Sequence, residues 1–284
     1  MNYAFIGFGE AGQAFVNNWS TKHRSQTKAF DIKSLQDDTQ ITEAMQKHGI
    51  LETQSATQSA AEADVIFSLV TADQATNAAA SVGPMKKGAL YLECNSVSPG
   101  TKKENAEIIH AAGGTLVDVA VMAPVQPALN KVPLLLSGEA APEAEAILNE
   151  LGMNPSVLDG EVGLSSSIKM IRSIMVKGME ALFAECVLSA VKAGVDETVL
   201  ASLEKSFPAM NWMKQAGYNF ERMSVHGRRR AAEMIESAKT IEELGLPNAM
   251  TQGTVKWQTL LGEMGYTPTS EDYADIASDL LKKI

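Results

Sequence analysis

The chain has 284 residues, enough for two domains with sizeable cores, and it carries 24 basic against 34 acidic side chains, a net charge of -10. That balance gives no electrostatic footprint for nucleic acid or for an anionic membrane surface, so an acidic substrate must be held by a local basic cluster. Cys94 and Cys186 lie far apart without metal-ligand spacing, which argues against a disulfide scaffold or a zinc site and reads both as core thiols. No apolar run approaches the roughly 18 residues of a membrane span, and no basic leader precedes the first strand, so the cytoplasm is the expected compartment.

The first apolar run, Tyr3 to Ile6, leads into Gly7-Phe8-Gly9-Glu10-Ala11-Gly12 and then into an apolar-periodic segment. This is a dinucleotide-binding fingerprint in its proper context. Gly7 serves the tight turn, Gly9 lets the backbone approach a pyrophosphate, and Gly12 lets the helix pack close to the sheet; Phe8, Glu10 and Ala11 complete the loop. A second run, Thr27 to Phe30, ends at Asp31, 19 residues beyond Gly12, near the spacing of the carboxylate that bonds a ribose 2′-hydroxyl. A carboxylate there repels a 2′-phosphate, so NAD is expected over NADP, with Lys28 and Lys33 softening the preference. Asp31 also suits a turn that opens after a strand.

Further strands are expected at Asp64 to Val70, Leu90 to Glu93, Leu116 to Val121, Val132 to Ser137 and Ser156 to Leu158. Helical patterns fall between most of them, including Pro99 to Ala112 and Pro142 to Leu151. The alternation predicts a doubly wound, mostly parallel α/β sheet of the Rossmann type over residues 1–160, covered on both faces. Beyond Gly163 the pattern becomes helical. Residues 165–193 read as one long helix stopped by Gly194. Amphipathic stretches follow at Glu197 to Phe207, Asn211 to Met223, Arg228 to Leu244, Ala249 to Met264 and Ser270 to Lys283. An all-helical domain is therefore expected over 161–284, for substrate binding and dimerisation.

These residues resemble the β-hydroxyacid dehydrogenases, the superfamily that includes 6-phosphogluconate dehydrogenase and, as a divergent branch, the imine reductases. Leu92-Glu93-Cys94-Asn95-Ser96-Val97-Ser98-Pro99 occupies the place of the family's strand-end motif beside nicotinamide and substrate. Asp118-Val119-Ala120-Val121-Met122-Ala123-Pro124 occupies the place of its substrate loop, and Lys169 begins its catalytic-helix motif. Lys169-Met170-Ile171-Arg172-Ser173 followed by Lys177-Gly178-Met179-Glu180-Ala181-Leu182 is similar to a subgroup that contains apionate oxidoisomerase. The resemblance implies that Val70, Thr71 and Asn95 face the cofactor, that Ser96, Met122 and Ala123 face the substrate, and that the chain forms a homodimer through its C-terminal helices.

Oxidising an alcohol while hydride leaves for nicotinamide requires a base for the hydroxyl proton, and a lysine serves when its surroundings bring its pKa toward neutrality. The resemblance implies that role for Lys169. Helix geometry puts Ser173, where the family commonly has Asn, one turn later on the same stripe, followed by Val176, Glu180 and Ala184. Two departures from the family matter. Met122-Ala123-Pro124 stands in place of Ser-Gly-Gly, which removes a hydroxyl donor for the substrate's acid group. Val176 stands where 6-phosphogluconate dehydrogenase has the glutamate that acts in decarboxylation, although Glu180 lies one turn further along.

A substitute anchor is His226-Gly227-Arg228-Arg229-Arg230, matched to the subgroup's H-x-x-R-R by His226, Arg229 and Arg230, since guanidinium groups bind carboxylates in bidentate fashion. The other reading of this run is a solvated basic helix start paired with Glu233 and Glu236. The methionines, Met170, Met175, Met179 and Met223 among them, read as helix-packing residues. Trp212 and Trp257 read as core, and His23, His48 and His110 as surface or cap residues. The function expected is NAD-dependent hydride transfer between a small hydroxy acid, an acid sugar or 3-hydroxy acid, and nicotinamide, with Lys169 as general acid/base and no metal. Oxidation coupled to isomerisation or decarboxylation, imine reduction, and non-catalytic NAD sensing are the alternatives.

Overall fold

The structure, a computed structural model, describes residues 1–36 and 39–284. Two compact units divide the chain, Met1–Met170 and Ile171–Ile284. In the first, strands β1 (Tyr3–Ile6), β2 (Thr27–Phe30), β3 (Leu51–Glu52), β4 (Val65–Ser68), β5 (Leu90–Glu93), β6 (Thr115–Val121), β7 (Pro133–Ser137) and β8 (Asn154–Val157) form one sheet in the order β3-β2-β1-β4-β5-β6-β7-β8. All neighbours are parallel except β6 and β7. Helices α1 (Glu10–Val16), α2 (Thr21–Ser25), α3 (Thr39–His48), α4 (Ala56–Ala60), α5 (Ala75–Ser81), α6 (Pro99–Ala111) and α7 (Ala141–Glu150) complete the doubly wound arrangement.

The central strands are buried on both faces, so alternation sorts their residues into two cores rather than core and solvent. Tyr3, Phe5, Val65, Phe67, Leu90 and Leu92 pack on one face with Phe8, Phe15 and Trp19. Ala4, Ile6, Ile66 and Tyr91 pack on the other with Ala60, Val82 and Ile109. Phe5 stacks on Phe67 at 4.8 Å, and both are fully buried. Each such side chain contributes about 1.5–3 kcal/mol relative to an exposed one. Chain order turns back between β1 and β4, and in open α/β sheets that reversal marks the ligand edge at the strands' carboxyl ends.

The second unit is helical, built from the greater part of α8 (Leu164–Ala193) with α9 (Asp196–Ser206), α10 (Trp212–Glu243), α11 (Ala249–Glu263) and α12 (Tyr273–Leu281). Ala184, Val187 and Leu188 of α8 bury against Leu200, Phe220, Met223, Leu261, Ile276 and Leu280. Gly194 closes α8 with φ +69°, a left-handed conformation suited to glycine.

Two sequence readings change. The division lies inside α8 and not at residue 160, because the helix's first turns are fastened to the sheet: Gly163 N and Ser166 N donate to Asp118, and Ser165 N donates to Ser137 Oγ. The stretches Asn211 to Met223 and Arg228 to Leu244 are one helix, α10, running straight through Gly227. Gly227 is there for contact rather than as a break. A Cβ on it would lie 2.3 Å from Gln258 O and 2.7 Å from the Gly262 Cα, so the pair lets α10 and α11 touch backbone to backbone. Among the described residues, no helix is long and apolar enough to cross a membrane.

Candidate active site

At the carboxyl edge of the first unit, β1 runs into the glycine loop. Gly7 has φ +88°, and a Cβ there would lie 2.3 Å from Leu69 O, so both the turn and the neighbouring strand end demand glycine. Gly12 sits under Phe8, whose ring a Cβ would approach to 3.2 Å, whereas nothing lies within 4 Å of a Cβ on Gly9. The start of α1 at Gly9 receives no side-chain cap, which leaves its backbone donors available to an anion. Glu10 is exposed and Ala11 half-buried in that first turn. An open cradle over glycine at an uncapped helix start fits a dinucleotide pyrophosphate.

Asp31 takes the turn role at the level of the backbone and adds a tie to the glycine loop. Its Oδ2 accepts from Phe8 N at 2.8 Å and its Oδ1 from Lys33 N at 3.0 Å, so it makes the turn after β2 and clamps the glycine loop with one carboxylate. Each oxygen retains a second lone pair for a ribose hydroxyl.

The adjoining strand ends are cross-linked through Asn95. Val70 N donates to Asn95 Oδ1 at 2.7 Å, while Asn95 Nδ2 donates to Ser68 Oγ at 2.9 Å and to Glu93 Oε1 at 2.5 Å. Both amide protons of this buried side chain are thus used inside the protein, and Asn95 braces the loops after β4 and β5 rather than presenting donors to a ligand. Thr71 is exposed beside Val70. Ser96, the next residue, accepts from Lys169 Nζ at 2.6 Å, an approach that spans 73 positions of sequence. Met122 is half-buried and its N–H pairs with Pro133 O at 2.9 Å, and Ala123 is exposed.

Beneath this edge lies a charged cluster that no motif in the sequence announces. Glu93, Lys102 and Asp118 are all completely buried. Lys102 Nζ stands 3.1 Å from Asp118 Oδ1 and 3.9 Å from Glu93 Oε1, and also donates to the Glu93 carbonyl. Burial alone would raise the Asp118 carboxyl, but Lys102 and the donors of Ser166 and Ser165 overcome it and hold it below its ordinary value. For Glu93 burial prevails over Lys102 and the Asn95 donors, and its carboxyl is pushed up. Lys102 had a signal in the sequence: with Asn105 and Ile109 it stands on the apolar-facing stripe of α6 at helical spacing. Cys94 in the same strand end is buried and its thiol is pushed up to about 12, so it is inert.

In the helical unit the basic run separates into different environments. Arg229 is 53% exposed and donates to Glu233 Oε1 at 2.6 Å. Arg230 is buried, and its guanidinium grips Glu180, with Nε to Oε2 at 3.2 Å and Nη2 to Oε1. The expectation that Arg230 presents its charge to a substrate is therefore corrected, because its partner Glu180 neutralises it. Glu180 also takes Gln258 Nε2 at 2.8 Å, so the carboxylate considered for decarboxylation is held in a structural pair. His226 is half-buried, its imidazole pushed down by burial and by Arg222 and Arg229. Ser173 is buried and accepts from Lys177 Nζ at 3.3 Å. Trp212 stacks on Phe183 at 5.0 Å, and Trp257 donates to Glu185 at 2.7 Å. Met170 and Met223 fill cores, but Met175 is 68% exposed and packs in none.

A doubly wound sheet with a glycine cradle, an acidic strand end and a lysine on a serine defines a dinucleotide-binding protein of the dehydrogenase type. The chain belongs to the family described by the NAD binding domain of 6-phosphogluconate dehydrogenase, matched over residues 2–160, and residues 190–261 match a domain of unknown function, DUF1932. A conserved hypothetical protein from Sinorhizobium meliloti has a solved structure 35% identical to this chain, with TM-score 0.77, covering 100% of this chain and 97% of its own. The 3-hydroxyisobutyrate dehydrogenase of Pseudomonas aeruginosa is 26% identical over 217 residues, 74% of this chain and 70% of that protein. A Mycobacterium tuberculosis 3-hydroxyisobutyrate dehydrogenase solved with L-serine shares the fold at 15% identity and TM-score 0.71, covering 98% of each chain.

Proposed function

We propose that this protein is an NAD-dependent oxidoreductase that transfers hydride between a small hydroxy acid and nicotinamide, with Lys169 as the general acid/base. The observation that carries the reading is the 2.6 Å bond from Lys169 Nζ to Ser96 Oγ, which sets an amine beside a hydroxyl at the ligand edge of the sheet. The similarity to a 3-hydroxyisobutyrate dehydrogenase supports a 3-hydroxy acid as substrate, with acid sugars as the wider class.

In this reading the loop Gly7–Gly12 receives the pyrophosphate, Asp31 the adenosine ribose, and Val70 and Thr71 line the path of the cofactor. Asp31 favours NAD over NADP by charge. The bound nicotinamide supplies the hydride acceptor. Neutral Lys169 takes the substrate's hydroxyl proton as the carbon–oxygen bond gains double-bond character, and it returns that proton in reduction. Ser96 steadies the same oxygen, and Ser173, one turn beyond Lys169 along α8, is the second proposed donor to it. Arg229 and His226 of the helical unit are the proposed anchors of an acid group, Arg229 in exchange for part of its pairing with Glu233.

A homodimer through the helical unit belongs to the same proposal, supported by its exposed apolar side chains such as Leu182 at 61% and Met250 at 76%. Light scattering checks it, and a monodisperse monomer would remove it. The activity is tested by following NADH formation across a panel of 3-hydroxy acids and aldonates. Turnover of one class is expected, and silence across the panel with NAD bound would turn the reading toward imine reduction or cofactor sensing.

A further inference from the structure

The run after the catalytic-helix motif contains Lys177, which the proposed chemistry leaves unused. Positions 169, 173 and 177 follow one another at helical spacing along α8, one turn apart. A lysine in that series would ordinarily reach solvent, yet Lys177 is 5% exposed. Its ammonium stands 2.7 Å from Glu233 Oε2, and the other oxygen of Glu233 takes Arg229 at 2.6 Å. From that fixed position Lys177 Nζ donates to Ser173 Oγ at 3.3 Å. A chain of alternating charge thus runs from half-exposed Arg229 on α10 inward to a buried hydroxyl on α8.

An ammonium only donates, so the Ser173 oxygen must accept from it, and the single Ser173 proton is left to point elsewhere. A free serine hydroxyl rotates among partners and readily turns back onto its own helix backbone. The ammonium removes part of that freedom and polarises the O–H bond, which makes the hydroxyl a stronger and better aimed donor.

We propose that Lys177 is a positioning residue for Ser173: held by Glu233, it fixes the Ser173 hydroxyl as a hydrogen-bond donor toward the oxygen of the hydroxy-acid substrate. This rests on the reading above, in which Ser173 touches that oxygen. The couple supplies through two side chains the directed donor that a longer amide would supply through one.

The test is a double-mutant cycle of Lys177→Met and Ser173→Ala in the full chain, with NAD and the panel member that turns over fastest. Each single variant is expected to lower kcat by about tenfold or more with NAD affinity kept, and the double variant to be no slower than the worse single. Lys177→Arg should recover a large part of the rate, because it restores the donor. Losses that multiply in the double variant, or a Lys177→Met enzyme with more than about half of the wild-type kcat, overturn the proposal. Where Lys177→Met fails to fold, Lys177→Met with Glu233→Gln removes both charges and takes its place under the same criteria. Lys169→Ala, assayed alongside, separates the two ideas. Unchanged activity in Lys169→Ala, or no turnover by wild type, overturns the functional reading and this inference with it. Collapse in Lys169→Ala beside an unaffected Lys177→Met overturns this inference alone.

Discussion

Ser166 Oγ donates to Asp118 Oδ1 at 2.6 Å, and through that bond the first turn of α8 hangs from the middle of β6, three residues before Lys169. Lys102 supports the same carboxylate oxygen from the opposite helix at 3.1 Å. The lysine that faces Ser96 is therefore aimed by a buried charge and not by its own rotamer alone. Ser166→Ala should cost about 2 kcal/mol of stability, the scale of a hydrogen bond to a charged group, and should lower kcat without changing NAD affinity. Urea unfolding and steady-state kinetics on one preparation check both parts.

Asp118 also sets a pH dependence. Its folded pKa lies below the ordinary value of about 3.9, so it contributes stability that is present above that value and is lost as pH falls through the folded pKa. Asp118→Asn should lose about 3 kcal/mol at pH 7, because Lys102 is then buried with a diminished partner. The difference from wild type should narrow only once pH falls through the lowered folded pKa, where the wild-type carboxyl also becomes neutral. Denaturant midpoints measured from neutral to acid pH give the curve, and a pH-independent difference would contradict the assignment.

Ser96→Ala removes the hydroxyl that Lys169 meets. The expected result is a fall in kcat/KM of about tenfold to a hundredfold, the range of a hydrogen bond to a charged group, with NAD Kd unchanged. Isothermal titration with NAD and initial rates measured on the same preparation separate the two effects.

Asp31→Ala should weaken NAD far more than NADP and narrow the preference between them. It should also lower stability by about 1–2 kcal/mol without any ligand, since Phe8 N and Lys33 N lose their acceptor. A thermal melt of the free protein reads the second effect independently of the first.

Gly227→Ala places a methyl 2.3 Å from the backbone oxygen of Gln258, where no flexible side chain can yield. The helices must separate, and the loss should reach about 3 kcal/mol. A melting temperature unchanged from wild type would contradict the packing of α10 on α11.

Features that depend on local chain geometry were legible in the sequence, and those made by distant partners were not. The spans Tyr3 to Ile6, Thr27 to Phe30 and Leu90 to Glu93 coincide with β1, β2 and β5, because each is a short apolar run bounded by polar residues or turn formers. The glycine loop could be read because a turn at positive φ and a close strand approach allow one residue type at Gly7. The contact role of Gly227 has no mark in sequence, since a glycine that serves a contact looks there like one that ends a helix. The pairing of Arg230 with Glu180 spans 50 positions, and no local pattern announces which of three adjacent arginines turns inward. Lys102 is inconspicuous in sequence because a lysine is ordinarily solvated, and only its place on the buried stripe of α6 marks it as different. The approach of Lys169 to Ser96 could be anticipated from family resemblance, whereas the Asp118 anchor that fixes it emerges only from the fold.

The most direct test of the account is single-turnover hydride transfer from the best hydroxy acid to bound NAD, compared between wild type and Lys169→Ala. Loss of about a hundredfold or more in the transfer rate, with NAD affinity intact and the rate partly restored by an added small primary amine, is the predicted result. Transfer by Lys169→Ala at a rate close to wild type would show that the proton leaves by another route and would contradict the central role of Lys169.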